Sequence, residues 1–286
     1  MKRLKYFVEF FLIKILFFFF RLLGYRKSSN IGEKIGKFFG PFFRNEKIIL
    51  DNLKYSSIGE DEIDRKKIVS SMWGNYGRIL SEYPFLKDFR NEKLDEYIKV
   101  NGLNYLENLV KSKKSAIFVS GHFNNFELMA MIIEKNGVNL AALYRPLNNY
   151  FLNETMESIR KNYLCKKQIK KGKSGTRDII NLLKQNYSIA LMIDQRVSEG
   201  IKINFFGRDA FTTTIPAQLI KKYNLDVIPV YIERKNNLFF DVQFEKPISF
   251  SNSIGTVQIT EKLNNILERM ILKNPDQWIW SHNRWR

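Results

Sequence analysis

The chain is poor in the residues that staple small folds or hold metals. Cysteine occurs once, at Cys165, and histidine twice, at His122 and His282. A single thiol excludes an internal disulfide framework and a cysteine-rich zinc site, and is in keeping with a cytosol-facing protein. Two distant histidines without His-x-x-x-His spacing form no metal-binding pattern, so neither a metal nor another cofactor is expected. Acidic residues are also in deficit: 29 Asp and Glu stand against 47 Lys and Arg, for a net charge of +18. Such a balance calls for an acidic partner: nucleic acid, an anionic membrane surface, a phosphorylated lipid or an acidic carrier protein. No RNP-like aromatic block, zinc finger or Gly-x-x-Gly clamp in context is found, so nucleic acid is not an expected partner. A Gly-x-Ser-x-Gly elbow is missing too, and a serine acyl-enzyme of the hydrolase type is not indicated.

What is present is hydrophobic substance. Apolar residues make up 44% of 286, enough for one large domain or two small ones with a substantial core. Residues 1–23 read MKRLKYFVEFFLIKILFFFFRLL. No small-residue cleavage site follows the apolar stretch, and its length approaches that of a bilayer span. Glu9 and Lys14 interrupt it, and basic residues flank both ends. Residues 1–27 are therefore expected to be a partly inserted or tilted membrane anchor. Phe17 to Phe20 cover all sides of a helix and argue against a one-sided soluble helix.

Residues 28–95 are expected to form a helical, membrane-proximal part. Asp61 to Leu80 suits an amphipathic helix, and Gly32, Gly36 and Gly40, four positions apart, suit either close helix packing or loops. From about residue 96 to 286 strands and helices alternate. Strands are expected at Ala116–Ser120, Leu140–Tyr144, Ile189–Ile193, Val227–Ile232 and Leu238–Phe244. Helices are expected at Glu127–Lys135, Phe151–Tyr163, Gly175–Lys184, Pro216–Tyr223 and Thr256–Leu272. This alternation predicts an α/β fold with a mixed, mostly parallel sheet flanked by helices. No internal repeat and no flexible linker interrupts residues 28–286, which read as one catalytic domain.

The most informative run is Ser120-Gly121-His122-Phe123-Asn124-Asn125-Phe126-Glu127-Leu128-Met129. A histidine at a strand exit followed by an acid in the next turn suits a general base whose tautomer the carboxylate fixes. Five positions along a continuous helix are about 140° apart, so His122 belongs in the turn and Glu127 in the first helical turn, capped by Asn124 or Asn125. Asn124-x-x-Glu127 fits a capping box equally well, in which Glu127 only satisfies a backbone N–H.

Further blocks follow in order: Tyr144-Arg145-Pro146-Leu147-Asn148-Asn149; Asp194-Gln195-Arg196; Phe205-Phe206-Gly207; Thr212-Thr213-Thr214-x-Pro216-Ala217; and Gln277-Trp278-Ile279-Trp280-Ser281-His282-Asn283-Arg284-Trp285. Together with the His122 run these resemble the bacterial lipid A late acyltransferases, the lauroyl and myristoyl transferases within the glycerolipid acyltransferase superfamily. The resemblance spans about residue 116 to the end. Asn124-Asn125 stands in place of a more usual Gly-Asn, and the loop Arg196 to Ile203 is short.

This resemblance implies direct transfer of a fatty acyl chain from acyl carrier protein to a hydroxyl of a Kdo-bearing lipid A precursor. His122 would be the base and Glu127 its support. Arg145, Asn125, Asp194, Arg160 and Lys171 would bind substrate. Residues 160–173 carry seven bases and no acid, suiting an acidic carrier or anionic headgroups, or simply a solvated loop. Asp194, at a strand end, suits a polar site residue or a turn cap. The expected partners are acyl carrier protein, a phosphorylated glycolipid acceptor and an anionic membrane surface, and the expected location is the cytoplasmic face of the inner membrane. Acylation of another membrane lipid, such as a lysophospholipid or a glycosylated phosphatidylinositol, is the nearest alternative. A basic, non-enzymatic membrane-binding protein is the alternative from another class.

Overall fold

The computed structural model describes residues 2–285. In chain order the helices are α1 (Lys2–Leu23), α2 (Tyr25–Phe39), α3 (Glu46–Tyr55), α4 (Glu62–Glu82), α5 (Leu86–Arg90), α6 (Leu103–Ser112), α7 (Glu127–Lys135), α8 (Tyr150–Ile159), α9 (Lys173–Lys184), α10 (Ile215–Tyr223) and α11 (Thr256–Lys273). The strands are β1 (Ile98–Asn101), β2 (Ala116–Ser120), β3 (Leu140–Tyr144), β4 (Lys167–Lys170), β5 (Ser188–Met192), β6 (Ile201–Phe205), β7 (Arg208–Thr212), β8 (Asp226–Lys235) and β9 (Phe239–Phe244).

Seven strands form one sheet in the order β1-β9-β8-β2-β5-β3-β4. Every pairing is parallel except the β8–β9 hairpin, so the sheet is mixed and mostly parallel. β2 lies at its centre, between β5 and β8, and all five of its residues are buried, as a strand covered on both faces must be. β6 and β7 pair as a separate antiparallel ribbon. Its two-residue turn is Phe206-Gly207, both with positive φ (54° and 73°), the backbone a tight hairpin requires. Phe206 tolerates it because its N–H donates to Glu268 Oε1 at 2.7 Å and its ring meets Phe205 and Trp285.

The helical part is built on close approach. A Cβ on Gly77 of α4 would lie 1.9 Å from the Gly32 carbonyl oxygen of α2, and one on Gly36 would lie 2.2 Å from the Trp73 carbonyl oxygen. The four-residue glycine spacing is thus a helix-packing stripe rather than a series of loops. Asp61 caps α4 by accepting the Asp64 N–H at 2.8 Å. Beneath α4 lies a buried ionic cluster. Glu82 accepts two hydrogen bonds from Arg234 of β8, at 2.7 and 3.0 Å, one from Ser29 at 2.7 Å and one from Asn125 at 3.0 Å. It ties the helical part to the sheet and to the turn after β2.

α1 is one-sided. Phe20 is buried and Phe17 stacks on Tyr83, while Leu4, Phe7, Phe11, Leu12, Phe18, Phe19 and Leu22 are exposed. Glu9 is engaged by Asn149 Nδ2 at 3.0 Å. Among the described residues no helix is long and apolar enough to cross a membrane. The four phenylalanines therefore divide between protein and surroundings instead of demanding an apolar environment on every side.

Candidate active site

β2 delivers its C-terminal end to the middle of the sheet, where open α/β sheets hold their ligands. The chain leaves through Gly121. A Cβ there would stand 2.9 Å from both Leu267 and Phe123 and 3.2 Å from Asp194 Oδ2, so only glycine lets the turn lie this close. Asn124 takes a positive φ of 41°, and α7 then starts at Glu127 with Phe126 at its N-cap and no side-chain cap. Neither expected asparagine cap forms. Asn124 bonds Gln277 and lies 3.3 Å from Arg234 Nε, and Asn125 is committed to Glu82.

His122 projects from this turn. Its Nδ1 is 2.8 Å from Asp194 Oδ1, and its backbone N–H donates to Asp194 Oδ2 at 2.7 Å. Trp278 Nε1 donates to the same Oδ2 at 2.9 Å. Asp194 follows β5, the strand beside β2, and is fully buried. Burial acts to raise its pKa, but the His122 charge and hydrogen bonds outweigh burial and hold the carboxyl below its ordinary value. An ionised carboxylate only accepts, so Nδ1 carries the proton and Nε2 is left as the basic nitrogen. Burial likewise acts to lower the His122 pKa. Asp194, by charge and hydrogen bond, and then Glu127, by charge, reverse this and raise it above the ordinary value.

Glu127 does not fix the ring. Its Oε1 accepts from Tyr83 O–H and from Arg160, whose Nε lies at 2.9 Å. Tyr83 and Glu127 are buried, and Arg160 opens a π turn (residues 160–164) at the end of α8. Helix geometry explains the exchange of partners. The first residue of α7 meets Tyr83, just after α4, and Arg160, just after α8, while Asp194, just after β5, meets the imidazole. The expectation that Glu127 fixes the tautomer is thereby corrected: Asp194 does so, and Glu127 reaches His122 only by charge.

His122, Glu127, Arg160, Arg145 and Lys171 all line one cavity of about 530 Å³, within the range of small-molecule sites. Its depth is apolar, running between the sheet and helices α7 and α9 past Phe118, Met129, Ile133, Ala142, Leu164 and Ile179. Arg145 and Lys171 are exposed at its mouth. Asn125 and Asp194 are expected substrate contacts that the fold places elsewhere. Both are buried behind the cavity wall with protein partners. The basic segment is divided. Arg160 faces inward to Glu127, Lys161 and Lys170 lie 4.0 and 3.2 Å from Glu157, and Lys166 and Lys167 are exposed. The side chain of Lys173 lies outside the described residues. Among the described residues no group of three or more His, Cys, Asp or Glu side chains could hold a metal ion.

Two residues of the cavity neighbourhood were not singled out for a role from sequence. Tyr83 sits in a helical segment that carries no motif. His282 lies within the C-terminal Trp-x-Trp-x-His block, which is the signal that marks it. Its Nε2 accepts the Arg196 N–H at 2.9 Å, and it lines the cavity with His122.

A histidine–carboxylate pair at a strand exit, above a deep apolar cavity with a cationic mouth, is suited to activating a hydroxyl beside a long acyl chain. Over residues 1–286 the chain matches, and belongs to, the family of bacterial lipid A biosynthesis acyltransferases, enzymes that transfer acyl groups. It is 24% identical over 272 residues to the lipid A biosynthesis palmitoleoyltransferase of Escherichia coli (strain K12), covering 92% of this chain and 86% of that protein. A lipid A biosynthesis acyltransferase of Haemophilus influenzae is 25% identical over 276 residues, covering 92% and 86%. The lipid A biosynthesis myristoyltransferase of Escherichia coli (strain K12) is 20% identical over 255 residues, covering 86% and 77%. The non-enzymatic reading that charge alone allowed gives way to this match.

Proposed function

We propose that this enzyme moves a fatty acyl chain from the thioester of acyl carrier protein to a hydroxyl of a Kdo-bearing lipid A precursor, by direct transfer. The observation that carries the reading is the His122–Asp194 pair set into the wall of an apolar cavity whose mouth carries Arg145 and Lys171. His122 Nε2 takes the hydroxyl proton as the oxygen attacks the thioester carbonyl, and Asp194 stabilises the imidazolium. Glu127 adds negative charge near the ring and holds Arg160 at the cavity wall. The acyl chain lies along the apolar depth, while Arg145 and Lys171 meet anionic groups of donor or acceptor at the mouth.

The exposed apolar face of α1 suits a helix lying in the surface of the inner membrane, with the cavity open to the cytoplasm, in place of a spanning anchor. Mass spectrometry of products from labelled acyl carrier protein and a panel of acceptors tests the reading. Product on the Kdo-bearing precursor alone supports it. Product on a lysophospholipid or a glycosylated phosphatidylinositol instead would move the enzyme to another lipid.

A further inference from the structure

The second histidine has a free donor. His282 Nε2 accepts the Arg196 N–H, so the proton of the neutral ring is on Nδ1, and Nδ1 has no hydrogen-bond partner among the described residues. Arg196 is two residues beyond Asp194, the residue that holds His122. One short segment after β5 therefore carries both imidazoles, and both line the same cavity. They are close enough for the His122 and Asp194 charges to act on His282. The backbone around His282 is also pinned: Asn52 Nδ2 donates to its carbonyl at 2.7 Å and to that of Trp280 at 2.8 Å.

We propose that His282 donates its Nδ1–H to the acyl carbonyl oxygen as that oxygen becomes an oxyanion. This rests on the acyl-transfer reading of the site. The hydroxyl proton passes to His122 Nε2, the new C–O bond forms, and the carbonyl electron pair moves onto the oxygen facing His282. The pair then returns, the C–S bond breaks, and the thiol sulfur leaves with the proton held by His122. His282 keeps its own proton throughout. A ring with this task must stay neutral and pre-set, and burial pushes the His282 pKa down to about 4, leaving it uncharged over the physiological range.

The two ring nitrogens separate this role from simple anchoring of the Arg196 loop. In His282→Asn the amide nitrogen can take the place of Nδ1 and the Nε2 contact is lost. In His282→Gln the amide oxygen can take the place of Nε2 and still accept the Arg196 N–H, while the Nδ1 donor is lost. Steady-state turnover of the full-length protein is measured with acyl carrier protein thioester and lipid A precursor, alongside thermal unfolding. The expected result is a loss of about 10²-fold or more in kcat for His282→Gln, with KM nearly unchanged and the fold intact, and a much smaller loss for His282→Asn. A folded His282→Gln enzyme that turns over as well as His282→Asn, or better, overturns the proposal. The acyl-transfer reading fails separately, if the wild-type protein yields no acylated product.

Discussion

Asp194 holds His122 twice, through the ring at 2.8 Å and through the backbone N–H at 2.7 Å, from 72 residues further along the chain. A carboxylate bound at both points fixes the rotation of the turn as well as the tautomer of the ring. Removing the ring should abolish chemistry while the backbone bond to Asp194 keeps the turn in place. His122→Ala is expected to lower kcat by about 10²- to 10⁴-fold with the circular dichroism of the fold retained and the unfolding midpoint lowered, because the buried Asp194 loses its ring partner. Near-wild-type turnover in this variant would rule out the base assignment.

The same pair sets the pH dependence. His122 must be neutral to act as a base, and its pKa lies above the ordinary 6.5, so activity should rise with pH along a limb displaced above that value. Asp194→Asn removes the main charge that raises it. The limb should then move to lower pH even as the maximal rate falls, because the ring loses its fixed tautomer. A pH–rate profile of kcat/KM for both proteins checks this. Stability follows the two groups in opposite senses. The raised His122 contributes fully below about 6.5 and loses its contribution as pH rises through its folded pKa, whereas the lowered Asp194 contributes above 3.8 and loses it as pH falls through its folded value.

The Glu82–Arg234 pair is buried on both sides and bidentate. Breaking it by Glu82→Gln leaves a guanidinium in the interior without its counter-charge and should cost about 3–5 kcal/mol. Glu82→Gln/Arg234→Met together should cost less than the sum of the single changes, since no orphaned charge remains. Urea denaturation of the three variants measures the difference.

The exposed apolar face of α1 should govern adsorption to lipid. Replacing Phe7, Phe11 and Phe18 with serine should weaken sedimentation with anionic vesicles while leaving the fold intact, because none of the three is buried. Unchanged sedimentation would move the contact to another surface, such as exposed Phe38, Phe39, Phe42 and Phe43.

Much of the α/β part was legible. Leu140–Tyr144, Ala116–Ser120 and Glu127–Lys135 form as their apolar runs predict, since long runs between turn residues leave little choice of period. β1, β4 and the β6–β7 ribbon were missed because they are short and carry charged residues or asparagines at positions that a central strand would fill with apolar groups. His122, Glu127, Arg160, Arg145 and Lys171, all picked out in the sequence, come together around one cavity, but their pairing was not legible. Nothing local to His122 says that the carboxylate beside it is Asp194 rather than Glu127. That depends on β5 lying next to β2, which is a property of the sheet order. Tyr83 is invisible for the same reason: only the tertiary fold brings this residue, which directly follows α4, to Glu127 at the start of α7.

The central place of β2 has a consequence for the birth of the protein. Its neighbours begin 72 and 110 residues later in the chain, at Ser188 and Asp226 against Ala116. Until both have been synthesised, the segment Ala-Ile-Phe-Val-Ser has two bare edges and two uncovered apolar faces, a short uncharged stretch of the kind that pairs with copies of itself. Distant pairings also form slowly once available. The strand that leads into the His122 turn is thus exposed to mispairing during synthesis, and refolding from denaturant should lose more protein to aggregation as its concentration rises.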